Sequence, residues 1–105
     1  MYARSLRYRV AGDKAAECLR LAEEMVSRYE RLLGHPLRHA ILVREVEGEV
    51  EVSEIYFFGS WEEWRGLMEA SRGDRVLEEL WGRFSRLVPE DSIAEEEWGV
   101  ARLSC

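Results

Sequence analysis

"EVEGEVEVSEIYFFGSWEEW", residues 45–64, changes its hydrophobic period twice. Acidic and branched residues alternate around Gly48, condense into Ile55-Tyr56-Phe57-Phe58, and give way at Ser60 to tryptophans at helical spacing, Trp61 and Trp64. Alternation sends successive side chains to opposite faces, so the run ending at Phe58 reads as a strand. Ser60 and Glu63 make the S-x-x-E pattern of a capping box, in which each side chain satisfies a free backbone N–H at a helix start. A strand therefore runs straight into a helix here.

Upstream, "RHAILVREVEGEVEVSEIYFF" reads as a hairpin whose two alternating runs meet at Glu47-Gly48-Glu49, where glycine supplies the positive φ of a tight reversal. We read Leu42, Arg44, Glu54 and Tyr56 as one face of it, opposite the helices. The second strand is apolar on both faces at Ile55–Phe58 and so must be covered twice. The chain offers helices for one side only, and a second copy of itself is the economical cover for the other.

The remaining elements follow the same logic. "YARSLRYRV" alternates as a first strand, and Asp13 is placed to cap a helix carrying Ala15, Cys18, Leu19, Ala22, Met25, Val26, Tyr29, Leu32 and Leu33 at three- and four-residue steps. Gly34 and Pro36 close it. After Trp61, Trp64, Leu67 and Met68, the segment Arg72-Gly73-Asp74 breaks the helix and Asp74 recaps it. An apolar stripe then runs from Val76 to Val88, where Pro89 stops it. "EDSIAEE" reads as a polar connector and "EWGVARL" as a short last strand. The order β-α-β-β-α-α-β is that of a ferredoxin-like α+β fold: a four-stranded antiparallel sheet with helices on one face. One domain spans residues 1–105.

Composition narrows the function classes. Net charge is −6 from 21 acids and 15 bases, which opposes broad binding to nucleic-acid phosphates. No apolar run approaches the ~20 residues of a membrane span, and "MYARSLRYRV" lacks a signal peptide's apolar core. Two cysteines, Cys18 and Cys105, make no disulfide framework. These features imply a cytoplasmic protein. Lys14 is the sole lysine, and Asn, Gln and Thr are absent, a charge-rich, amide-free composition that fits a thermophilic source. The missing amides exclude any mechanism that needs an Asn or Gln side chain.

With "EIYFFGSWEEW" and the broken helix "MEASRGDRVLEELWGRF", the chain resembles the dimeric α+β barrel superfamily, which includes the antibiotic-biosynthesis monooxygenase-like proteins. That resemblance implies two sheets paired face to face as a homodimeric barrel, often with a pocket in each protomer. Haem-degrading members place Asn, Trp and His around the pocket. Trp61 or Trp64 could match the tryptophan, but the chain has no Asn and residues 61–88 contain no His, so that activity is not expected.

His35 and His39 flank Pro36 without an evident third ligand, so no metal site is expected. His39 is the neutral-pH acid–base candidate near the sheet. Arg7, Arg9, Arg44, Glu54 and Tyr56, if gathered on the barrel face, would suit a carboxylate or enolate, with Tyr56 or Glu54 moving a proton; the competing reading is an ion-pair network between subunits. Trp61, Trp64, Trp81 and Phe84 line a cavity or, as we favour, pack as core. Cys18 reads as an inert buried thiol and Glu95–Glu97 as a solvated edge. The functional expectation is a homodimeric protein with no cofactor, binding a small apolar or anionic molecule or serving only as an assembly unit. Its alternative is a cofactor-independent monooxygenase or isomerase acting on a small aromatic or enolisable substrate through His39, Tyr56 or Glu54.

Overall fold

The computed structural model describes residues 1–104; Cys105 lies outside the described residues. The elements are β1 (Tyr2–Ala11), α1 (Ala15–Leu33), β2 (Arg38–Val46), β3 (Glu49–Phe58), α2 (Trp61–Ser71), α3 (Arg75–Leu87) and β4 (Ala94–Gly99). All strand pairs are antiparallel and the sheet order is β2-β3-β1-β4, the ferredoxin-like arrangement. All three helices pack on one face.

The β2–β3 turn decides which residues meet those helices. It is a two-residue reversal, with Val46 paired to Glu49 and both Glu47 (φ 52) and Gly48 (φ 81) left-handed. A turn with both central residues at positive φ matches the right-handed twist of its strands. Arg44 therefore faces Glu51, Leu42 faces Ser53, and Ile41 faces Glu54. The expected grouping of Leu42 and Arg44 with Glu54 and Tyr56 is thus corrected: changing the turn by one residue reverses every side chain of a strand. Glu54, Tyr56 and Phe58 point into the helix layer, and Phe57 rather than Phe58 lies on the open face.

Local chemistry sets the helix ends. Ser60 accepts from the Glu63 N–H at 3.2 Å, while the Glu63 carboxylate accepts from the Gly59 N–H, one residue before the cap. Asp74 accepts from the Leu77 N–H at 3.0 Å to start α3, after Gly73 (φ 74) has broken the path of α2. Arg28 on α1 grips the same carboxylate from 2.6 Å, so one aspartate caps α3 and ties it to α1; this contact and the backbone donor hold Asp74 below the usual carboxylate pKa. Asp13 does not cap α1. It lies in a 3-10 turn over Gly12–Lys14, and α1 begins without a side-chain cap. β4 runs Ala94–Gly99, so Glu95 and Glu96 belong to an edge strand rather than to the expected connector, and the strand stops short of Leu103.

The helix side of the sheet is unevenly filled. Tyr8, Val10, Val52, Cys18, Leu21, Phe84 and Val88 form one closely packed cluster, with the Phe84 ring edge-on to Tyr8 at 5.2 Å. Tyr56, Phe58, Val26, Leu37 and Leu67 form a second, with Trp64 and Met68 at its margin. On the other side the sheet is uncovered. Its first rows carry Phe57, Ala3, Trp98, Ile55 and Ser5, and its far rows carry Arg7, Arg9, Glu51 and Arg44. Leu42 and Trp98, at 56% and 52% exposed, both stand on this face.

Candidate functional site

β3 brings two polar groups into a layer that should be apolar. Glu54 is only 4% exposed, yet it occupies a covered position between Val52 and Tyr56. A buried carboxylate is costly unless donors surround it. Both phenols nearby supply them: Tyr8 donates to Oε2 and Tyr56 to Oε1. The Cys18 thiol in turn lies 3.9 Å from the Tyr8 hydroxyl, extending the chain of contacts to α1. Burial first, and then the Glu54 charge, push both phenols well above the ordinary tyrosine pKa. Burial likewise raises the Cys18 thiol to about 11, so the buried thiol stays protonated at neutral pH.

Beside this triad the helix layer does not close. A cavity of about 290 Å³ separates the sheet from the helices. Its sheet side is Leu6, Glu54 and Tyr56, while Met25 and Tyr29 of α1 and Phe84 of α3 bound the deep end. Trp64, Leu67 and Met68 of α2 form the opposite wall. The cavity is therefore apolar in most directions and polar in two.

The second polar edge is Arg4. Its guanidinium sits 4.3 Å from the Trp64 ring centre and is held by Glu95 at 2.5 Å and Glu97 at 3.3 Å, both across the β1–β4 ladder. The Tyr2 ring stands 5.7 Å from that of Trp64 on the same side. Two of three guanidinium nitrogens are thereby engaged; the third, Nε, is buried without a hydrogen-bond partner. Arg4 and Glu95 both line the cavity.

The candidates read from the sequence thus separate into two groups on opposite sides of the sheet. Glu54, Tyr56 and Trp64 meet at the cavity. Arg7, Arg9 and Arg44 do not join them: they lie on the open face, where Glu51 bridges Arg44 at 2.6 Å and Arg9 at 3.5 Å. Trp61 is 41% exposed, stands 6.4 Å from Trp64 and contacts Arg65 rather than the cavity. Trp64 is not enclosed as core; it is a half-buried cavity wall with a charge against its face. His39 is exposed on edge strand β2, stacks on Tyr56 at 6.0 Å and donates through Nδ1 to the Leu37 carbonyl at 2.7 Å, outside the cavity lining. Among the described residues no group of His, Cys, Asp and Glu is arranged to hold a metal ion.

Sequence reasoning missed Tyr8 and Arg4. Arg4 shares the even-numbered face of β1 with Tyr2, Leu6 and Tyr8, and a charged residue interrupting an apolar face was the available signal. Glu95 and Glu97 stand on a solvent-exposed edge strand, as expected, and also hold the Arg4 side chain.

The same architecture recurs in solved proteins of low sequence identity. A NIPSNAP family protein from Agrobacterium tumefaciens superposes with a TM-score of 0.74 at 20% identity, over 98% of this chain and 95% of that one. A dimeric ferredoxin-like protein from an uncultured marine organism gives 0.70 at 18% identity, over 100% and 99% of the two chains. An antibiotic biosynthesis monooxygenase gives 0.61 at 12% identity, over 97% and 100%. These likenesses show the fold, a ferredoxin-like α+β arrangement with a four-stranded antiparallel sheet. No family model matches the sequence, and no curated protein matches it. No helix among the described residues is long and apolar enough to cross a membrane.

Proposed function

We propose that this chain is the protomer of a homodimer joined through its open sheet face, and that each protomer binds a small, neutral, largely apolar molecule between sheet and helices. The cavity carries this reading: a space of about 290 Å³ walled by aromatic and aliphatic side chains, with a few convergent polar groups, is the usual form of a small-molecule site. Charge selects the ligand. Among the described residues Arg4 is the sole cation on the cavity wall and Glu95 and Glu97 already neutralise it, while Glu54 adds a negative charge. An anionic ligand would be repelled there, so the neutral class is favoured over the anionic one.

Dimerisation rests on the uncovered sheet face. Leu42, Ile55, Phe57 and Trp98 give it an apolar region, and a structure of the same fold is described as dimeric. A second sheet laid on the first would bury these side chains and leave the Arg9–Glu51–Arg44 cluster to pair at the margin.

Sedimentation velocity at micromolar concentration tests the assembly: we expect a dimer, and a monomer for Phe57→Asp. Titration of neutral aromatic ketones, read by tryptophan fluorescence, tests the site. Saturable binding by the wild type, weakened at least tenfold in Trp64→Ala, is expected. A wild-type monomer sinks the assembly reading, and absence of saturable binding sinks the ligand reading.

A further inference from the structure

We infer that the cavity is a proton-transfer site for a neutral carbonyl compound with an acidic C–H next to the carbonyl, with Glu54 as the base and the Arg4 Nε–H as the donor to the enolate oxygen. The inference rests on the ligand reading above and assigns it a chemistry.

Glu54 is placed for this work and poorly placed for stability alone. Its neighbours on the covered face of β3, Val52, Tyr56 and Phe58, show that an apolar or amphipathic side chain is accommodated there. A buried ion contributes less to stability than a well-packed apolar residue of similar volume, and ionisable groups buried beside clefts are enriched at functional sites. Each Glu54 oxygen accepts one phenol. A carboxylate offers about four lone-pair directions, so each oxygen keeps one for a substrate. Tyr8 and Tyr56 are positioning residues: they fix the carboxylate's orientation and do not compete for its remaining lone pairs.

The complementary donor stands on the neighbouring strand. Arg4 pairs with Tyr56 and Leu6 pairs with Glu54, so Arg4 and Glu54 are diagonal neighbours on one sheet face. Such neighbours are roughly 7–8 Å apart at the backbone, a span that a small ketone lying over Tyr56 bridges. The buried Nε–H of Arg4 has no partner. An unpaired buried donor costs free energy until something accepts from it, and an enolate oxygen is a strong acceptor. Glu95, Glu97 and Trp64 hold the guanidinium in place before the ligand arrives.

The step balances within the site. The Glu54 carboxylate takes the α-proton; the C–H electron pair becomes the C=C π bond and the carbonyl π pair moves to oxygen, which accepts from Arg4 Nε–H. Return of that proton to the same carbon leaves no trace; exchange follows when the protonated Glu54 swaps its proton for a solvent deuteron through the open side of the cavity and delivers the deuteron, while delivery to the far carbon of a conjugated system gives a shifted double bond. No oxidant, reductant or second substrate is consumed. Apolar walls on most sides lower the dielectric around the charged intermediate, which strengthens both electrostatic contacts.

The test uses the full-length protein with 2-indanone and a panel of neutral aryl ketones in D2O, following loss of the α-proton signal by NMR and binding by tryptophan fluorescence. The wild type should accelerate exchange, and Glu54→Gln should retain binding while slowing exchange by on the order of 100-fold. Arg4→Lys keeps a cation for Glu95 and Glu97 but lacks the Nε–H; it should weaken binding by up to about tenfold and slow exchange of the bound ketone by about a further tenfold. Arg4→Lys decides the matter if Glu54→Gln does not fold. Ketones that bind yet exchange no faster than in buffer, or variants that exchange as fast as the wild type, overturn the inference and leave the ligand reading standing. Failure of every ketone to bind at millimolar concentration overturns both.

Discussion

The two ends of the helix-covered sheet face are built differently from similar residue types. At one end Val10, Val52, Cys18, Leu21 and Val88 pack together with no charged group among them. At the other, Arg4, Glu54 and Trp64 border an open cavity. Helix placement accounts for the difference. α1 and α3 lie against each other and are pinned by Arg28 and Asp74, so their apolar stripes close over one end. α2 leaves β3 at an angle set by the Ser60 cap and lays Trp64, Leu67 and Met68 along the far wall without filling the gap. One end is filled and the other is left open.

Mutation should expose that contrast. Leu21→Ala, in the filled end and away from the cavity, should cost about 2.5–5 kcal/mol of unfolding free energy through lost burial and the void it leaves. Urea denaturation monitored by circular dichroism checks this. Tyr8→Phe, at the boundary, should cost about 1.5–3 kcal/mol, since it removes a hydrogen bond to a buried carboxylate without changing volume; the same denaturation series reads it. Trp64→Ala, at the open end, should cost only about 1–2 kcal/mol, in proportion to its half-buried ring. Were Trp64→Ala to cost as much as Leu21→Ala, the two ends would not differ as described.

The smallest effect lies outside both ends, at His35. Its Nδ1 donates to the Pro36 carbonyl at 2.8 Å, and its Nε2 stands 3.4 Å from Glu63; the backbone bond first, and then Glu63, raise its pKa above the ordinary histidine value of 6.5. A raised folded-state pKa gives stability that is fully present below about 6.5 and lost as pH rises through the folded value. His35→Ala should therefore flatten a slight decline in stability above neutral pH and leave the cavity's ligand affinity unchanged. Thermal melts from pH 5.5 to 8.5 measure it.

Much of the fold was legible because its signals are local. The alternation of β1 and β3, the caps at Ser60 and Asp74, and Gly34 (φ 79) each act within a few residues. The turn at Glu47-Gly48 was legible as a turn but not in its length, because nothing marks a glutamate as left-handed in the way an Asn-Gly pair would. That single parity moved Glu54 and Tyr56 from the open face to the covered one and left Arg44 behind. Glu54 and Tyr56 were thus found as residues while their true company, Tyr8 and Arg4, was not. Ala94–Glu96 escaped as strand because an acidic edge alternates too weakly to resemble one. The cavity has no sequence signature at all: it depends on where α2 comes to rest.

The sharpest check on the cavity's chemistry is a crystal structure of the protein soaked with 2-indanone. The ketone should lie between Trp64 and Tyr56, its carbonyl oxygen accepting from Arg4 Nε and its acidic carbon facing Glu54. A cavity closed by inward movement of Trp64, or holding only ordered water at saturating ketone, would contradict that placement.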